Sequence, residues 1–505
     1  MKETHVKTID NTNLTHKTFS GTLYLITSGG IQIMLKIGVL AVLARLVAPK
    51  EFGLMGIAVV IVEFSKLFSQ MGVGPCIVQR KELEERHLTT GFTLSLLLGL
   101  LFAGTLILLA PSLESFFKMN GLGKVLRAIS SIFLVNSITV TGQALLQRNM
   151  KFKLIASVEV LSYAIGYGAV GIILAYMHMG VWALVIANLS QALLSALFYI
   201  ILQPFSKKLA VDLEALRELV YFGFGFTIAK MGNFLAIQGD NLVVGRTLGA
   251  AMLGIYGRAY NFMVMPSSLF GNALDRTLFP AMAKVQDNKK QLAKAYITGT
   301  SLIALVAIPI SFIFMILAPE IILTVLGKNW VAVVVPFRIL AASLLFRMSY
   351  KMSDSLARST GAVYSRAWRQ IIYACSVFVG AYIGHFYGLG GVATGVAASL
   401  LINFLLMGQL GIRLTGITWK TLLTSHLKGL YLGLFSGTIC LISVTLLRQV
   451  ITSNFLVLLL SILCVIGILC FVIWAYPRLF IGDEQKSLLN KLVLKRFKKP
   501  LAQAA

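Results

Sequence analysis

The chain has 505 residues, of which 57% are hydrophobic and 13% are charged. Soluble domains carry about 25% charged residues, so this composition excludes an ordinary soluble protein and indicates a polytopic membrane protein. The formal net charge is +26, but Lys and Arg lie in short segments between apolar runs. This placement follows the positive-inside rule and argues against nucleic-acid binding.

Apolar runs of about 20 residues recur along almost the whole chain, and each is long enough to cross a bilayer as a helix. The pattern predicts an all-α polytopic membrane protein with about fourteen transmembrane spans. Their expected bounds are 21–46, 52–79, 88–110, 124–147, 154–177, 180–203, 219–245, 250–279, 295–318, 329–357, 367–387, 389–411, 425–447 and 454–477.

The connectors between the predicted spans alternate in charge. Those after even-numbered spans are basic, whereas those after odd-numbered spans hold one or two Lys or Arg at most. Because cytoplasmic connectors are enriched in these residues, both termini are predicted to be cytoplasmic. The N-terminal stretch lacks the apolar core of a signal peptide. The outward connectors are short, which argues against an enzyme such as a polysaccharide polymerase or ligase.

Two stretches in the first half of the chain recur in the second half. Residues 43–58 (LARLVAPKEFGLMGIA) match residues 244–259 (VGRTLGAAMLGIYGRA), and residues 180–187 match residues 391–398. The repeat predicts two pseudo-symmetric six-helix lobes of the same polarity, and transporters built from such repeats bind substrate between them. The predicted domains are an N-terminal tail (1–20), an N-lobe (21–210), a C-lobe (211–411), spans 13 and 14 (412–478) and a basic tail (479–505).

Several spans carry polar residues at helical spacing. In span 2, Glu63, Lys66 and Gln70 are three and four residues apart, which places them on one face of a helix. An ionisable side chain at the bilayer centre costs about 2.5–3.5 kcal/mol, so these side chains are expected to face a wet cavity and one another. Spans 1, 4, 7, 8 and 10 carry similar stripes.

The predicted cavity contains more cations than acids at depth, which favours an anionic substrate bound through charge-assisted hydrogen bonds. The candidate substrate-binding cations are Lys36, Lys66, Lys230, Arg258, Arg347 and Lys351. The candidate polar lining is Gln32, Gln70, Asn136, Gln143, Asn233, Asn261 and Asn272. The candidate ion-coupling or switch residues are Glu63, Asp240, Asp275, Arg276 and Asp354.

Some of these residues also have a structural interpretation. Lys351 and Asp354 fall near the cytoplasmic end of span 10, where a solvated mouth or an ion pair explains them equally well. Asp275 and Arg276 equally suit a structural pair, and Glu159, alone on span 5, is interpreted as a packed structural acid. The five cysteines lack metal-ligand spacing and no nucleotide-binding or hydrolase motif stands in a credible context, so neither metal nor cofactor is predicted.

Residues 246–288 (RTLGAAMLGIYGRAYNFMVMPSSLFGNALDRTLFPAMAKVQDN) resemble the central signature of bacterial polysaccharide flippases of the Wzx type. Residues 43–58, 72–83 and 143–153 resemble the amino-terminal half of these proteins. The resemblance spans roughly residues 20–410 and is greatest to the WzxC-like exporters of colanic and teichuronic acid. This family belongs to the multidrug/oligosaccharidyl-lipid/polysaccharide (MOP) exporter superfamily.

The resemblance implies a multi-pass protein of the bacterial cytoplasmic membrane that moves undecaprenyl-pyrophosphate-linked oligosaccharide units outward by alternating access. The exported oligosaccharide units would be used to build lipopolysaccharide, exopolysaccharide, capsule or teichuronic acid. Implied partners are the lipid-linked oligosaccharide, membrane lipids, the polysaccharide polymerase machinery and a coupling proton or Na⁺. Related lipid II flippases carry an Arg at the place that Lys66 occupies here. The alternative is a drug/cation antiporter of the same superfamily, which predicts an acid-dominated cavity.

Overall fold

The computed structural model describes residue 30 and residues 32–80, 82–205 and 208–475, apart from some helical side chains such as those of 271–278. These described residues form helices and short connections, without a strand. The predicted all-α membrane fold is confirmed.

The first part of the described chain contains nine α-helices and one π-helix. They are α1 (32–46), α2 (Pro49–Gln70), α3 (Val73–Gln79), α4 (Glu85–Phe117), α5 (Leu122–Ile129), α6 (Ile132–Arg148), α7 (Phe152–Ser162), the π-helix Tyr163–Val170, α8 (Gly171–Tyr176) and α9 (Val181–Leu202).

The second part begins with one long helix that continues through two predicted spans. The helices are α10 (Leu213–Lys284), α11 (Lys289–Ile316), α12 (Ala318–Val325), α13 (Val334–Ala342), α14 (Leu344–Ser359), α15 (Val363–Gly384), α16 (Gly388–Thr415), α17 (Trp419–Thr424), α18 (Leu427–Val450) and α19 (Asn454–Ala475). Two 3₁₀ turns, Lys328–Val333 and His385–Tyr387, join neighbouring helices.

Within the described ranges, nine helices are long and apolar enough to cross a membrane, or up to eleven if each of two bent pairs is one span. The protein is therefore a multi-pass membrane protein. The count differs from fourteen partly because two expected boundaries lie inside nearly continuous helices. Gly249 interrupts α10 with a φ of 83°, and only the turn His385–Tyr387 separates α15 from α16. The number fourteen stays a prediction.

The chain divides into two compact units, one ending at Met231 and the other beginning at Gly232. The division falls inside α10, whereas the sequence predicts a lobe boundary after residue 210. The early part of α10 belongs to unit 1 because it packs on helices that precede it. One contact of this kind is the hydrogen bond that the Thr227 hydroxyl donates to the carbonyl oxygen of Leu67, at 3.2 Å.

Ion pairs fix the beginning of α10 within unit 1. Arg80, in the basic connector before α4, pairs with Glu218. Arg86, in the first turn of α4, lies 2.7 Å from a carboxylate oxygen of Glu214. The backbone N–H of Asp212 donates to the hydroxyl of Thr90 at 3.0 Å. The basic connector that the sequence assigns to the cytoplasmic side therefore also anchors α10.

Glycines allow α10 to approach the end of α2 closely. A methyl group added at Gly223 would overlap the carbonyl oxygen of Met71. We expect Gly223→Ala to lower the free energy of unfolding by about 1–3 kcal/mol, as overpacking does elsewhere. Thermal unfolding of the purified protein measures this. Gly225→Ala is the matched control because nothing lies within 4 Å of its added methyl group; equal unfolding temperatures for the two variants would contradict the close approach.

In unit 2, α18 packs closely on α11, where added methyl groups at Gly429 and Gly433 would overlap Ala304 and Ile308, and an ion pair and an apolar cluster join α18 and α19 to α12. Arg448 of α18 donates to the buried carboxylate of Glu320 in α12 at 2.8 Å and to Asn454 at 2.6 Å. Leu317, Cys440 and Val465 form the buried cluster beside them. Their remaining surfaces are largely exposed and apolar, as expected for helices in contact with lipid.

Candidate functional site

The polar face of α2 carries an ion pair. The ammonium of Lys66 lies 3.5 Å from a carboxylate oxygen of Glu63, and the two side chains are 29% and 51% exposed. Gln70, one turn further, is half-buried. The proximity of Glu63 and Lys66 that their spacing predicts is therefore present, and both remain accessible to a polar ligand.

Lys230 belongs to the same region of unit 1. Along α10 from Gly223 to Thr227, the contacted residues move backward from Gly72, just after α2, to Leu67 within α2, so the two helices run antiparallel. Lys230 is exposed and lies less than one turn beyond Thr227. At 1.5 Å of rise per residue, it is placed at the level of the Glu63–Lys66 pair on α2. This arrangement brings two predicted substrate-binding cations onto one part of the unit.

A second polar group of unit 1 joins α1 to span 5. The ammonium of Lys36, an exposed residue of α1, lies 5.8 Å from the ring centroid of Tyr163. Glu159, one turn before this tyrosine, interacts with Lys36 and with Gln32. Glu159 is exposed, so its interpretation as a packed structural acid is wrong. Sequence analysis also missed the tyrosine, although its spacing of four from Glu159 is a usable signal.

Helix α6 presents a polar stripe. Gln143 is exposed and Asn136, two turns earlier, is half-buried. Thr139, between them, donates its hydroxyl to the backbone carbonyl of Asn136 at 2.8 Å. The two amides therefore lie on an accessible polar face of α6.

In unit 2, three predicted site residues on α10 reach the surface of the unit. Asn233 and Asn261 are exposed, and Arg258 is half-buried. The side chains of three further predicted residues lie outside the described part of the structure, namely Asn272, Asp275 and Arg276.

Two other predicted site residues of unit 2 are buried. Asp240 is 1% and Arg347 is 8% exposed. The carboxylate of Asp240 accepts a hydrogen bond from the Tyr256 hydroxyl at 2.7 Å, and Arg347 donates to the Tyr260 hydroxyl at 3.0 Å. The two tyrosine rings are 6.2 Å apart, between centroids. In this conformation the opposite charges lie in the core of the unit and are connected through tyrosines.

The remaining predicted residues of α14 also have protein partners. Lys351 donates to the backbone carbonyl of Ser267 at 2.8 Å. Asp354 lies 3.1 Å from Arg358 and also pairs with Arg366. This is the ion-pair arrangement that the sequence allows as an alternative to substrate contact.

The predicted set thus divides by environment. Lys36, Lys66 and Lys230 are accessible in unit 1, whereas Asp240 and Arg347 are enclosed in unit 2. Among the described residues, no three His, Cys, Asp or Glu side chains are grouped so as to hold a metal ion.

A comparison with models of known protein families gives a match that covers more than half of the chain. The profile of a family described as polysaccharide biosynthesis protein matches residues 42–335, more than half of the chain. The chain belongs to this family. The resemblance to Wzx-type proteins that the sequence indicates is thereby confirmed.

Individual relatives are similar to this chain over most of its length. The lipopolysaccharide biosynthesis protein WzxC of Escherichia coli K12 is 25% identical over 397 residues, which cover 78% of this chain and 80% of WzxC. The teichuronic acid biosynthesis protein TuaB of Bacillus subtilis 168 is 25% identical over 349 residues, covering 68% and 71%. The succinoglycan biosynthesis transport protein ExoT of Rhizobium meliloti 1021 is 25% identical over 300 residues, covering 59% and 60%.

Solved structures show which fold this family member has. The lipid II flippase MurJ, in an inward closed conformation, aligns with a TM-score of 0.69 and 16% identity over 90% of this chain and 99% of its own. An inward-facing multidrug transporter of the MATE family aligns with a TM-score of 0.61 and 16% identity over 77% and 96%. At these identities the comparison shows that this chain shares its fold with both transporters, and this fold was predicted.

Proposed function

We propose that this protein is a flippase that moves undecaprenyl-pyrophosphate-linked oligosaccharide repeat units across the bacterial cytoplasmic membrane. The repeat units would supply a polysaccharide of the envelope or cell surface. The observation that carries the proposal is the accessible cationic region of unit 1 in a member of the polysaccharide biosynthesis protein family. Membership gives the class of cargo, and the cations give the means of binding a pyrophosphate inside a membrane.

The pyrophosphate explains why cations lie at this depth. Lys66 and Lys230 lie at a similar level on two adjacent antiparallel helices, and Glu63 is the acid beside Lys66. Charge-assisted hydrogen bonds from two ammonium groups offset part of the dehydration cost of an anionic headgroup. The polyprenyl tail stays in lipid while the headgroup crosses.

Transport requires that the protein bind the headgroup differently in its inward- and outward-open states. The Glu63–Lys66 pair is suited to this role because an arriving pyrophosphate competes with Glu63 for the ammonium of Lys66. Released Glu63 is then available to bind a proton or Na⁺. We further propose that transport proceeds by alternating access and that both termini lie on the cytoplasmic side. The transported repeat unit is then delivered to the polysaccharide polymerase machinery.

A drug/cation antiporter is the less supported alternative. The multidrug transporters share the fold at 16% identity, and the three relatives described above carry names from polysaccharide biosynthesis. An organic cation would also meet Lys66 and Lys230 in unit 1, and these residues repel it. The relative ExoT is named as a transport protein, which supports a transporter rather than an enzyme.

Analysis of lipid-linked intermediates tests the proposal. The gene is deleted, polyprenyl lipids are extracted and measured by mass spectrometry, and the wild-type gene is then restored. We expect an undecaprenyl-pyrophosphate oligosaccharide to accumulate in the deletion strain and to disappear on restoration, and its mass identifies the sugar composition. Unchanged lipid intermediates together with increased sensitivity to cationic drugs would favour the antiporter instead.

A further inference from the structure

The middle of span 5 carries a pair of tyrosines that the cationic site does not use. The rings of Tyr163 and Tyr167 lie 5.2 Å apart between centroids and are nearly parallel, with an angle of 14° between their planes. Both side chains are half-exposed. The rings are therefore offset-stacked against each other, one helical turn apart, and form an aromatic strip beside the ammonium of Lys36.

The depth of this strip argues against an anchor at the membrane interface. The span containing it runs from Phe152 to Tyr176. Tyr163 is eleven residues from its beginning, about 17 Å at 1.5 Å per residue. Aromatic belts of membrane proteins lie at the two membrane surfaces, so an interfacial anchor does not explain two aromatic rings at mid-membrane.

The strip also faces away from the apolar surface of its own helix. Leu161 and Ile165 are 48% and 47% exposed and form the apolar stripe expected to contact lipid. Residues two positions apart on a helix point to nearly opposite sides. Tyr163, between them in sequence, therefore points to the other side, where Lys36 lies.

The backbone around the strip is held in place by close packing. Tyr163–Val170 is a π-helix, a conformation found frequently at functional sites. A methyl group at Gly166 would come within 2.5 Å of the backbone of Gln191 in α9, and one at Gly168 would approach Val39 of α1 at 3.1 Å. The helices on both sides thus fix the positions of the rings.

The polar groups around the strip are balanced in charge. Lys36 and Glu159 contribute one charge of each sign, and Gln32 adds an uncharged amide. Such a site does not favour a pyrophosphate, unlike the region of Lys66 and Lys230. Carboxylate and amide groups bind hydroxyls, and aromatic rings pack against the apolar CH face of a pyranose. Together these groups provide the chemistry of a sugar-binding site.

We propose that Tyr163 and Tyr167, with Lys36, Gln32 and Glu159 around them, bind a sugar ring of the transported oligosaccharide. One pyranose packs on the ring surface that the offset of the two tyrosines leaves uncovered, while its hydroxyls bond to the carboxylate and the amide. This inference rests on the proposed function and extends it, because it assigns the saccharide to span 5 and leaves the pyrophosphate to Lys66 and Lys230.

Binding of two lipids to the purified full-length protein tests this assignment. One lipid is the undecaprenyl-pyrophosphate oligosaccharide extracted from the deletion strain, and the other is undecaprenyl pyrophosphate without sugar. The Tyr163→Leu/Tyr167→Leu variant should bind the glycosylated lipid roughly tenfold more weakly, as expected from losing an aromatic contact. Its affinity for the bare lipid should equal that of the wild type. The corresponding Phe variants should bind both lipids nearly normally.

Tyr176→Leu is the matched control because Tyr176 ends the same span and is 64% exposed, and it should bind both lipids normally. Equal weakening toward the two lipids, or no weakening toward either, would overturn the sugar-binding assignment. If the wild type binds neither lipid, the proposed function itself fails. Should the double variant not fold, as judged by thermal unfolding, Tyr167→Leu alone is measured with the same criteria.

Discussion

Replacing Lys66 with Ala is expected to reduce export of the lipid-linked oligosaccharide by at least tenfold without unfolding the protein. A hydrogen bond to a charged group contributes about 1.5–3 kcal/mol, which corresponds to about a ten- to hundredfold change. In the wild type, the ammonium of Lys66 lies 3.5 Å from the carboxylate of Glu63. Without the ammonium, this carboxylate is an uncompensated negative charge that repels the pyrophosphate. Accumulation of the lipid-linked intermediate, measured by mass spectrometry, reports the loss.

Three further variants separate binding by Lys66 from simple neutralisation of Glu63. Lys66→Arg keeps the charge but changes the donor geometry, so partial export is expected. Lys50→Ala, in the first turn of the same helix and exposed, should export normally. The combination Lys66→Ala/Glu63→Gln should stay defective if Lys66 binds the substrate. Export restored in that double variant would show that Lys66 serves only as the partner of Glu63.

The membrane fold was predictable because composition and the lengths of apolar runs depend on local sequence alone. The contact between Glu63 and Lys66 was predictable for the same reason, since residues three apart on one helix are neighbours whatever surrounds them. The relation of Lys36 to Tyr163 was not, because these residues are far apart in the chain. Periodicity shows that a helix has a polar face, but it does not identify the helix opposite that face.

The burial of Asp240 and Arg347 could not be predicted from the sequence either. Like Lys66 and Lys230, both residues lie in polar stripes, so sequence analysis predicts that all four line the cavity. Their burial follows from two tyrosines, Tyr256 and Tyr260, whose hydroxyls reach the charged groups. A charge in a membrane span can be accommodated by water or by buried hydrogen bonds, and only the three-dimensional arrangement distinguishes the two.

This arrangement predicts that Arg347→Ala destabilises the protein strongly. Arg347 is 8% exposed, and its guanidinium lies 5.1 Å from the ring centroid of Tyr260. Its charge acts on the buried carboxylate of Asp240. Removing one member of a buried pair leaves the other uncompensated and typically costs about 3–5 kcal/mol. We expect a large fall in the unfolding temperature of the purified protein.

A second substitution distinguishes structural compensation from substrate binding by Arg347. Asp240→Asn removes the charge that Arg347→Ala leaves unpaired, so the double variant should recover part of the lost stability. Arg358→Ala, on the same helix but in a partly exposed pair with Asp354, should change stability by at most about 1 kcal/mol. If Arg347→Ala instead unfolds like the wild type but fails to export, the arginine contacts the substrate, as the sequence predicts, and its burial belongs to this conformation of the transport cycle.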